Sequence, residues 1–91
     1  MKSLSKELRT KNLKLGQYLR LCRIIRNESQ REVADHLKIS PQFISNIEKS
    51  KCSPPPQLLK TMISYYGIKK NVIIEVMINE KRNELIELFT S

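Results

Sequence analysis

The sequence predicts an all-α fold, a compact bundle of about five helices with a C-terminal helical extension. Three observations predict this class. Apolar residues recur at helical spacing in several segments, strand-like alternation of apolar and polar residues is absent, and the four prolines fall between the helical segments. The 91 residues are enough for one small domain with a modest apolar core.

Charge is distributed unevenly along the chain. Residues 1–70 carry 15 lysines and arginines against 5 acids, whereas residues 71–91 carry 2 against 4. A basic body is expected to contact a polyanion, although ribosomal and membrane-surface proteins can share this composition. No apolar segment is long enough to span a bilayer, and no signal-peptide pattern opens the chain. We therefore expect a cytoplasmic protein with no membrane partner.

The residues that usually carry catalysis or bind metals are sparse. Cys22 and Cys52 lack the paired spacing of a zinc site, and His36 is the single histidine, expected to be a solvated helix residue. There is no nucleophile–base–acid set, no glycine-rich phosphate loop and no cluster of metal ligands. The sequence therefore predicts neither an enzyme nor a metal or cofactor site.

Residues 1–14 form a basic N-terminal segment with two open interpretations. It could be a flexible arm that lies along the phosphates or in a minor groove of a nucleic acid. It could equally be a short extra helix that packs on the body with its charges solvated. Its charged residues are Lys2, Lys6, Glu7, Arg9, Lys11 and Lys14.

The first helix of the body is predicted over 15–26, and Asn27 is suited to the left-handed conformation that ends it. A helix in a domain of this size usually needs one apolar stripe, whereas this segment has two. The N-terminal segment, the C-terminal segment or a second subunit could cover the additional stripe. One stripe contains Leu15, Leu19 and Cys22, and the other contains Tyr18, Leu21, Ile24 and Ile25.

Two short helices joined by a tight turn are predicted over 29–49. Ser29 with Glu32 three residues later forms a capping box. Ser40 supplies the next N-cap, and Pro41 occupies the first helical position behind it. Ala34 is small enough for the close approach of the two helices. This pattern predicts a helix-turn-helix.

The last part of the chain predicts two further helices. One extends from about Pro56 to Tyr66 and ends at Gly67. The other covers 72–89 and is capped by Asn71, and a single long helix is favoured over two because no glycine or proline interrupts it.

The C-terminal helix carries more apolar surface than a body of this size is expected to bury, so we predict that it mediates dimerisation. The alternative is packing within the chain, onto the second stripe of the first helix. The predicted dimerisation residues are Val72, Ile73, Val76, Met77, Leu85, Leu88 and Phe89.

A series of residues follows the order and spacing of a known family: Leu15, Gly16, Leu19, Arg23, Ser29, Gln30, Glu32, Ala34, Leu37, Ile39, Ser40, Ile44, Ser45, Ile47, Glu48, Pro54, Leu59 and Gly67. In these positions the chain resembles the phage repressor/Cro-like (XRE-type) helix-turn-helix family, over roughly 15–69 and without gaps. The resemblance implies a bundle of about five helices that binds operator DNA, usually as a dimer. It divides the chain into the N-terminal segment 1–14, a DNA-binding domain 15–69 and the C-terminal helix 70–91.

The resemblance also implies residue roles. DNA bases would be contacted by Ser40, Gln42, Phe43, Ser45 and Asn46, although Phe43 could instead be partly buried against a neighbouring helix. DNA phosphates would be contacted by Ser29, Gln30, Lys38, Lys49 and Lys51. Arg23 and Glu48 would form a structural salt bridge between the first and third helices.

These observations predict a sequence-specific regulator of transcription that binds double-stranded DNA as a homodimer at a palindromic operator. Repression is the expected mode. Two alternatives stay open. One is an antitoxin-type module that binds a toxin through its C-terminal helix, with DNA binding secondary. The other is a restriction–modification controller that activates or represses through contact with RNA polymerase.

Overall fold

The structure, a computed structural model, describes residues 13–90. These residues form five helices, which confirms the all-α prediction, and no strand occurs within 13–90. The two interpretations of the basic N-terminal segment concern residues that are almost all outside this described part. The helices are α1 (Leu15–Ile25), α2 (Gln30–Leu37), α3 (Pro41–Glu48), α4 (Pro56–Tyr66) and α5 (Lys70–Thr90).

The start of α2 and the start of α3 are fixed by their own side chains. Ser29 Oγ accepts a hydrogen bond from the Glu32 amide at 3.0 Å, and Glu32 Oε1 accepts one from the Ser29 amide at 2.7 Å. Ser40 Oγ accepts a hydrogen bond from the Phe43 amide at 3.0 Å. These bonds satisfy amides that a helix start otherwise leaves unpaired. The sequence therefore determines the bounds of both helices locally.

The turn between α2 and α3 requires a left-handed residue, and Lys38 adopts that conformation with φ 58°. This conformation is unfavourable by on the order of 1 kcal/mol for a residue with a Cβ atom. The next amide, that of Ile39, donates to the Ala34 carbonyl at 3.0 Å and closes the end of α2. The turn is therefore tight without a glycine.

The core lies where α1, α2 and α3 meet and is completed by α4 and α5. Ala34 is fully buried, which agrees with its predicted place between the two short helices. Burial of this apolar surface is the main stabilising contribution to the fold. The buried apolar residues are Leu15, Leu19, Val33, Ala34, Ile44, Ile47, Met62, Ile73 and Val76.

Gly16 permits an unusually close approach of α1 to the end of α3. A Cβ atom at this position would lie 2.1 Å from the carbonyl oxygen of Ile47 and 3.1 Å from that of Glu48. No real Cβ tolerates the first distance, and the obstacle is backbone rather than a mobile side chain. Gly16 therefore fixes how near the C-terminal end of α3 lies to α1.

The C-terminal segment is one continuous helix, α5. It begins at Lys70, so the predicted cap residue Asn71 lies inside its first turn. Ile73 and Val76 are buried in the chain's own core, and Glu80 Oε1 accepts a hydrogen bond from the Leu15 amide at 3.0 Å. The N-terminal half of α5 is thus an integral part of the domain.

The second apolar stripe of α1 is only partly covered. Tyr18 and Leu21 are half-buried, whereas Ile24 is 44% exposed and Ile25 is 76% exposed. The inward face of α5 packs near the N-terminal end of α1, where its Glu80 bonds Leu15. Intramolecular packing of α5 therefore occurs but leaves the far end of that stripe open.

We predict that Gly16→Ala lowers the free energy of unfolding by about 1–3 kcal/mol, the range for overpacking, despite the higher helix propensity of alanine. The reason is the clash with the Ile47 carbonyl, so the amide NMR signals of α3 should also shift. Gly67→Ala is the matched control, because Gly67 has positive φ (68°) but open space around it. The control should lose stability without moving the α3 signals, and an unshifted Gly16→Ala spectrum would contradict the assigned role.

Candidate nucleic-acid interface

A buried ion pair connects α1 to the last residue of α3. Arg23 Nε donates to Glu48 Oε2 at 2.8 Å, and a second guanidinium nitrogen donates to Glu48 Oε1 at 2.9 Å. Another Arg23 nitrogen donates to the Glu28 carbonyl at 2.8 Å. The Arg23 side chain is 11% exposed and that of Glu48 only 1%. The bidentate bonds to Glu48 raise the pKa of Arg23 above its ordinary value, although burial opposes this.

Gln30 joins the same network from the first turn of α2. Its Nε2 donates to Glu48 Oε1 at 3.0 Å, so one carboxylate holds α1, α2 and α3 together. The resemblance implied a phosphate contact for Gln30, and the structure gives its amide nitrogen this partner within the protein. Its backbone amide still lies at the N-terminus of α2, where helix amides and the dipole favour an anion.

The outward face of α3 is polar because its inward face is buried. Ile44 and Ile47 lie in the core, which turns Gln42 outward and leaves it exposed. Gln42 Nε2 donates to Asn46 Oδ1 at 3.0 Å, one helical turn away. In this arrangement the Gln42 Oε1 acceptor and the Asn46 Nδ2 donor stay available, the pair of groups that matches an adenine edge in the major groove.

The other predicted base-reading residues differ in how open they are. Ser40 is exposed, but its hydroxyl oxygen caps α3. Phe43 is half-buried and packs against the core, as its alternative interpretation expected. Ser45 is half-buried beside Asn46. Asn46 is also half-buried, but its amide is held by the bond to exposed Gln42, so this pair is the part of the face best prepared for base contacts.

Exposed cations flank α3 at both ends. Lys38 precedes it in the left-handed turn, and Lys49 and Lys51 follow it in the loop toward α4. Ser29, also predicted at a phosphate, is exposed, and its hydroxyl oxygen caps α2. A polar helix face with lysines on either side is the charge arrangement expected where phosphates lie beside a groove.

The predicted dimerisation residues divide into two groups. Ile73 and Val76 are buried in the chain's own core and are not available to a partner in this structure, and Val72 is half-buried. The others are exposed: Met77 by 42%, Leu85 by 45%, Leu88 by 67% and Phe89 by 82%. Of the predicted dimerisation residues, those available to a partner therefore lie mainly on the second half of α5.

A cluster that the sequence did not predict connects the loop between α1 and α2 to α4. Arg26 Nε donates to Glu28 Oε1 at 2.7 Å, the Tyr65 hydroxyl donates to Glu28 Oε2, and the Arg26 guanidinium lies 4.7 Å from the centre of the Tyr65 ring. The Tyr65 bond, followed by the Arg26 bond, lowers the pKa of Glu28 below its ordinary value. The cluster fixes the loop between α1 and α2 to α4.

The chain also matches a known family. Residues 14–72 match the family described as "Helix-turn-helix domain". The chain belongs to this helix-turn-helix family. The match covers well over half of the protein and includes α1 to α4, in agreement with the resemblance to XRE-type proteins, and it supports DNA binding. Comparison with curated proteins and with solved structures gave no match.

Residues 13–90 contain no group of three or more histidine, cysteine, aspartate or glutamate side chains placed to hold a metal ion. Within the same residues, no helix has the length and apolarity needed to cross a membrane.

We predict that Glu48→Ala destabilises the helix-turn-helix protein by about 3–5 kcal/mol, because it leaves the Arg23 guanidinium buried without its partner. Urea unfolding measures the change. Replacing both partners together, as Arg23→Leu with Glu48→Leu, should cost less than the sum of the two single changes. A loss below about 1 kcal/mol for Glu48→Ala would show that the pair does not hold α3.

We predict that the cluster of Arg26, Glu28 and Tyr65 makes the free energy of unfolding depend on pH in the acid range. The pKa of Glu28 in the folded protein lies below its ordinary value of 4.5. The contribution of ionised Glu28 to the free energy of unfolding is therefore fully present above pH 4.5 and is lost as the pH falls through the lowered pKa. Urea midpoints between about pH 5 and pH 2 should therefore converge for the wild type and Glu28→Gln. Tyr65→Phe should show part of this loss, and a pH-independent difference would contradict the assignment.

Proposed function

We propose that the protein is a sequence-specific regulator of transcription that binds double-stranded DNA as a homodimer and represses by default. The observation that carries the proposal is the hydrogen-bonded pair of exposed Gln42 and half-buried Asn46 on α3, a helix whose opposite face is buried and whose end is held by Glu48. A helix held in this way can enter a major groove without first having to be ordered. Family membership supports DNA binding.

In this proposal α3 lies in the major groove and reads base edges through its outward face. Gln42 and Asn46 form the central contacts, because amides can pair bidentately with adenine. Ser40, Phe43 and Ser45 supply peripheral contacts, of which Phe43 offers an apolar edge to a thymine methyl. Ser29, Gln30, Lys38, Lys49 and Lys51 contact the phosphates, which sets the position of α3 but carries no sequence information.

Two copies would place their α3 helices in successive major grooves about 34 Å apart, which requires a palindromic operator. The exposed apolar residues on the second half of α5 support such a dimer, since a helix end with this much apolar surface is costly to leave in water. A dimer that covers a promoter excludes RNA polymerase, and this is the simplest mode of repression.

The same exposed residues favour a second candidate. An antitoxin-type protein would use them to bind a toxin, and DNA binding would be secondary. The Gln42–Asn46 amide pair on α3 favours the regulator, because polar side chains at base-reading positions fit a protein whose main activity is sequence-specific DNA binding.

Binding to a pool of random duplexes, selected and sequenced at several salt concentrations, tests the proposal. A regulator should enrich a symmetric site, and its affinity should fall steeply with salt as phosphate counterions are released. Binding that never exceeds the non-specific level on any duplex would contradict the proposal, and co-purification with a protein partner would then favour the antitoxin.

We predict opposite signatures for two alanine variants on the selected site. Gln42→Ala should cost about 1–3 kcal/mol at one position in each half-site and relax the preference there. Lys51→Ala should weaken binding to all sequences alike and reduce the salt slope by about 1. Equal losses on every sequence for Gln42→Ala would move base reading away from α3.

A further inference from the structure

Helix α5 has two distinct faces. The inward face carries Ile73 and Val76, which are 4% and 0% exposed. The outward face carries a row of residues at alternating spacings of three and four. We call this row the outer seam, and all of its members are exposed: Asn71, Ile74, Ile78, Lys81, Leu85 and Leu88.

The spacing of the outer seam is that of a helix which packs along a second helix. Steps of three and four residues repeat with an average of 3.5, the period of coiled-coil contacts. Helix α5 has 21 residues, so the seam is part of a rod about 30 Å long. The seam residues are exposed within the described residues 13–90, so a second helix can pack along them.

We propose that the occupant is a second copy of this chain, with the two α5 helices paired antiparallel along their outer seams. The inference rests on the homodimer of the proposed function and specifies how that dimer is built. In the register that pairs Ile74 with Leu85 of the partner subunit, Ile78 packs on Lys81 of the partner subunit, and by symmetry each contact occurs twice.

Charges beside the outer seam fit a second copy of this chain. Glu75 and Arg82 lie along one edge of the seam, and both are exposed. Antiparallel helices bring like edges together, so Glu75 lies near Arg82 of the partner subunit. By the two-fold symmetry this pair of opposite charges occurs twice.

Lys81 argues against the parallel alternative. A parallel pair places each seam residue beside its own copy, so the two Lys81 ammonium groups would meet in the middle of the apolar contact. In the antiparallel register the Lys81 stem packs on Ile78 of the partner subunit, and its charged end reaches the solvent. Within the chain its Nζ lies 3.9 Å from Glu84 Oε1, and both side chains are exposed.

A groove at the N-terminal end of α5 fits the partner's C-terminal end. The groove has a volume of about 690 Å³ between α4 and α5, is lined by Ile63, Ile68 and Ile74, and is bordered by Lys60 and Lys70. An antiparallel pair brings the last turn of the second copy to this end. That turn carries Leu88 and Phe89, the most exposed apolar side chains of α5, so apolar side chains meet an apolar groove.

Engineered cysteines test the orientation. In a Cys22→Ala, Cys52→Ser background, Ile74→Cys and a tagged Leu85→Cys are mixed and oxidised. Antiparallel pairing should give the mixed disulfide as the main product, because these positions face each other. Self-linked dimers of each variant as the main products would show parallel pairing and overturn the proposal. A protein that sediments as a monomer at all concentrations would overturn it as well.

Charge reversal tests the edges. Glu75→Arg should weaken the dimer by roughly tenfold because it faces Arg82 of the partner subunit, and Arg82→Glu should do the same. The double variant should restore the dimer to within about threefold of the wild type, since opposite charges again face each other. Glu87→Arg, on the same helix but outside the seam and its edges, is the control. Failure of the double variant to recover would contradict the antiparallel edges.

DNA binding separates this inference from the proposed function. Each reversal variant is also measured on a full palindromic site and on a half-site. Weaker full-site binding with unchanged half-site binding should accompany the loss of the dimer. If the wild-type protein dimerises through the outer seam but binds no duplex specifically, the proposed function is contradicted and the antiparallel pairing is kept. If a parallel dimer binds DNA specifically, the antiparallel pairing is contradicted and the proposed function is kept.

Discussion

The buried ion pair between Arg23 and Glu48 is the interaction on which the interface depends. Burying two charges costs several kcal/mol in lost hydration, and the mutual attraction with good geometry approximately offsets that cost. The pair therefore adds little net stability, but it raises the free energy of other orientations of α3, in which the buried charges would lose their partners. Gln30 donates a further hydrogen bond to the Glu48 carboxylate, and Gly16 lets the α3 backbone lie against α1. The polar face of α3 is held outward by these contacts before any DNA is present.

In the proposed dimer, the two faces of α5 would connect the helix-turn-helix body to the second copy. Its inward face completes the core through Val76 and bonds the first amide of α1 through Glu80. A partner on its outward face would consequently be held in fixed relation to α1, and through the ion pair to α3. Half-site spacing in such a dimer is determined by rigid contacts and not by a flexible linker. This gives the proposed α5 pairing a direct consequence for which operators the protein can bind.

The sequence predicted the features that depend on neighbouring residues. Capping at Ser29 and Ser40 and the end of α4 at Gly67 each follow from chemistry within a few positions, whereas the left-handed conformation of Lys38 does not follow from its own side chain. The role of Gly16 could not be predicted, because it depends on where a backbone 31 positions later lies. A glycine beside an apolar stripe was the available signal, since such a residue often marks a close helix contact.

The dimerisation residues show the limit of hydrophobic periodicity. The stretch 72–78 is apolar on nearly every side, so spacing alone did not distinguish Ile73, which faces the core, from Ile74, which faces out. Only the position of α1 decides which side is buried. The bond from Gln30 to Glu48 was missed for a similar reason, because a family role at a phosphate does not indicate contacts inside the protein.

An amide NMR titration of the protein with its selected duplex tests most directly whether α3 contacts DNA. We expect the largest shifts in the first turn of α3, at the start of α2 and in the loop that follows Lys49, while the buried Arg23 side-chain signal keeps its position. Shifts confined to α5, with α3 unchanged at saturation, would show that α3 does not contact the DNA and would contradict the proposed function.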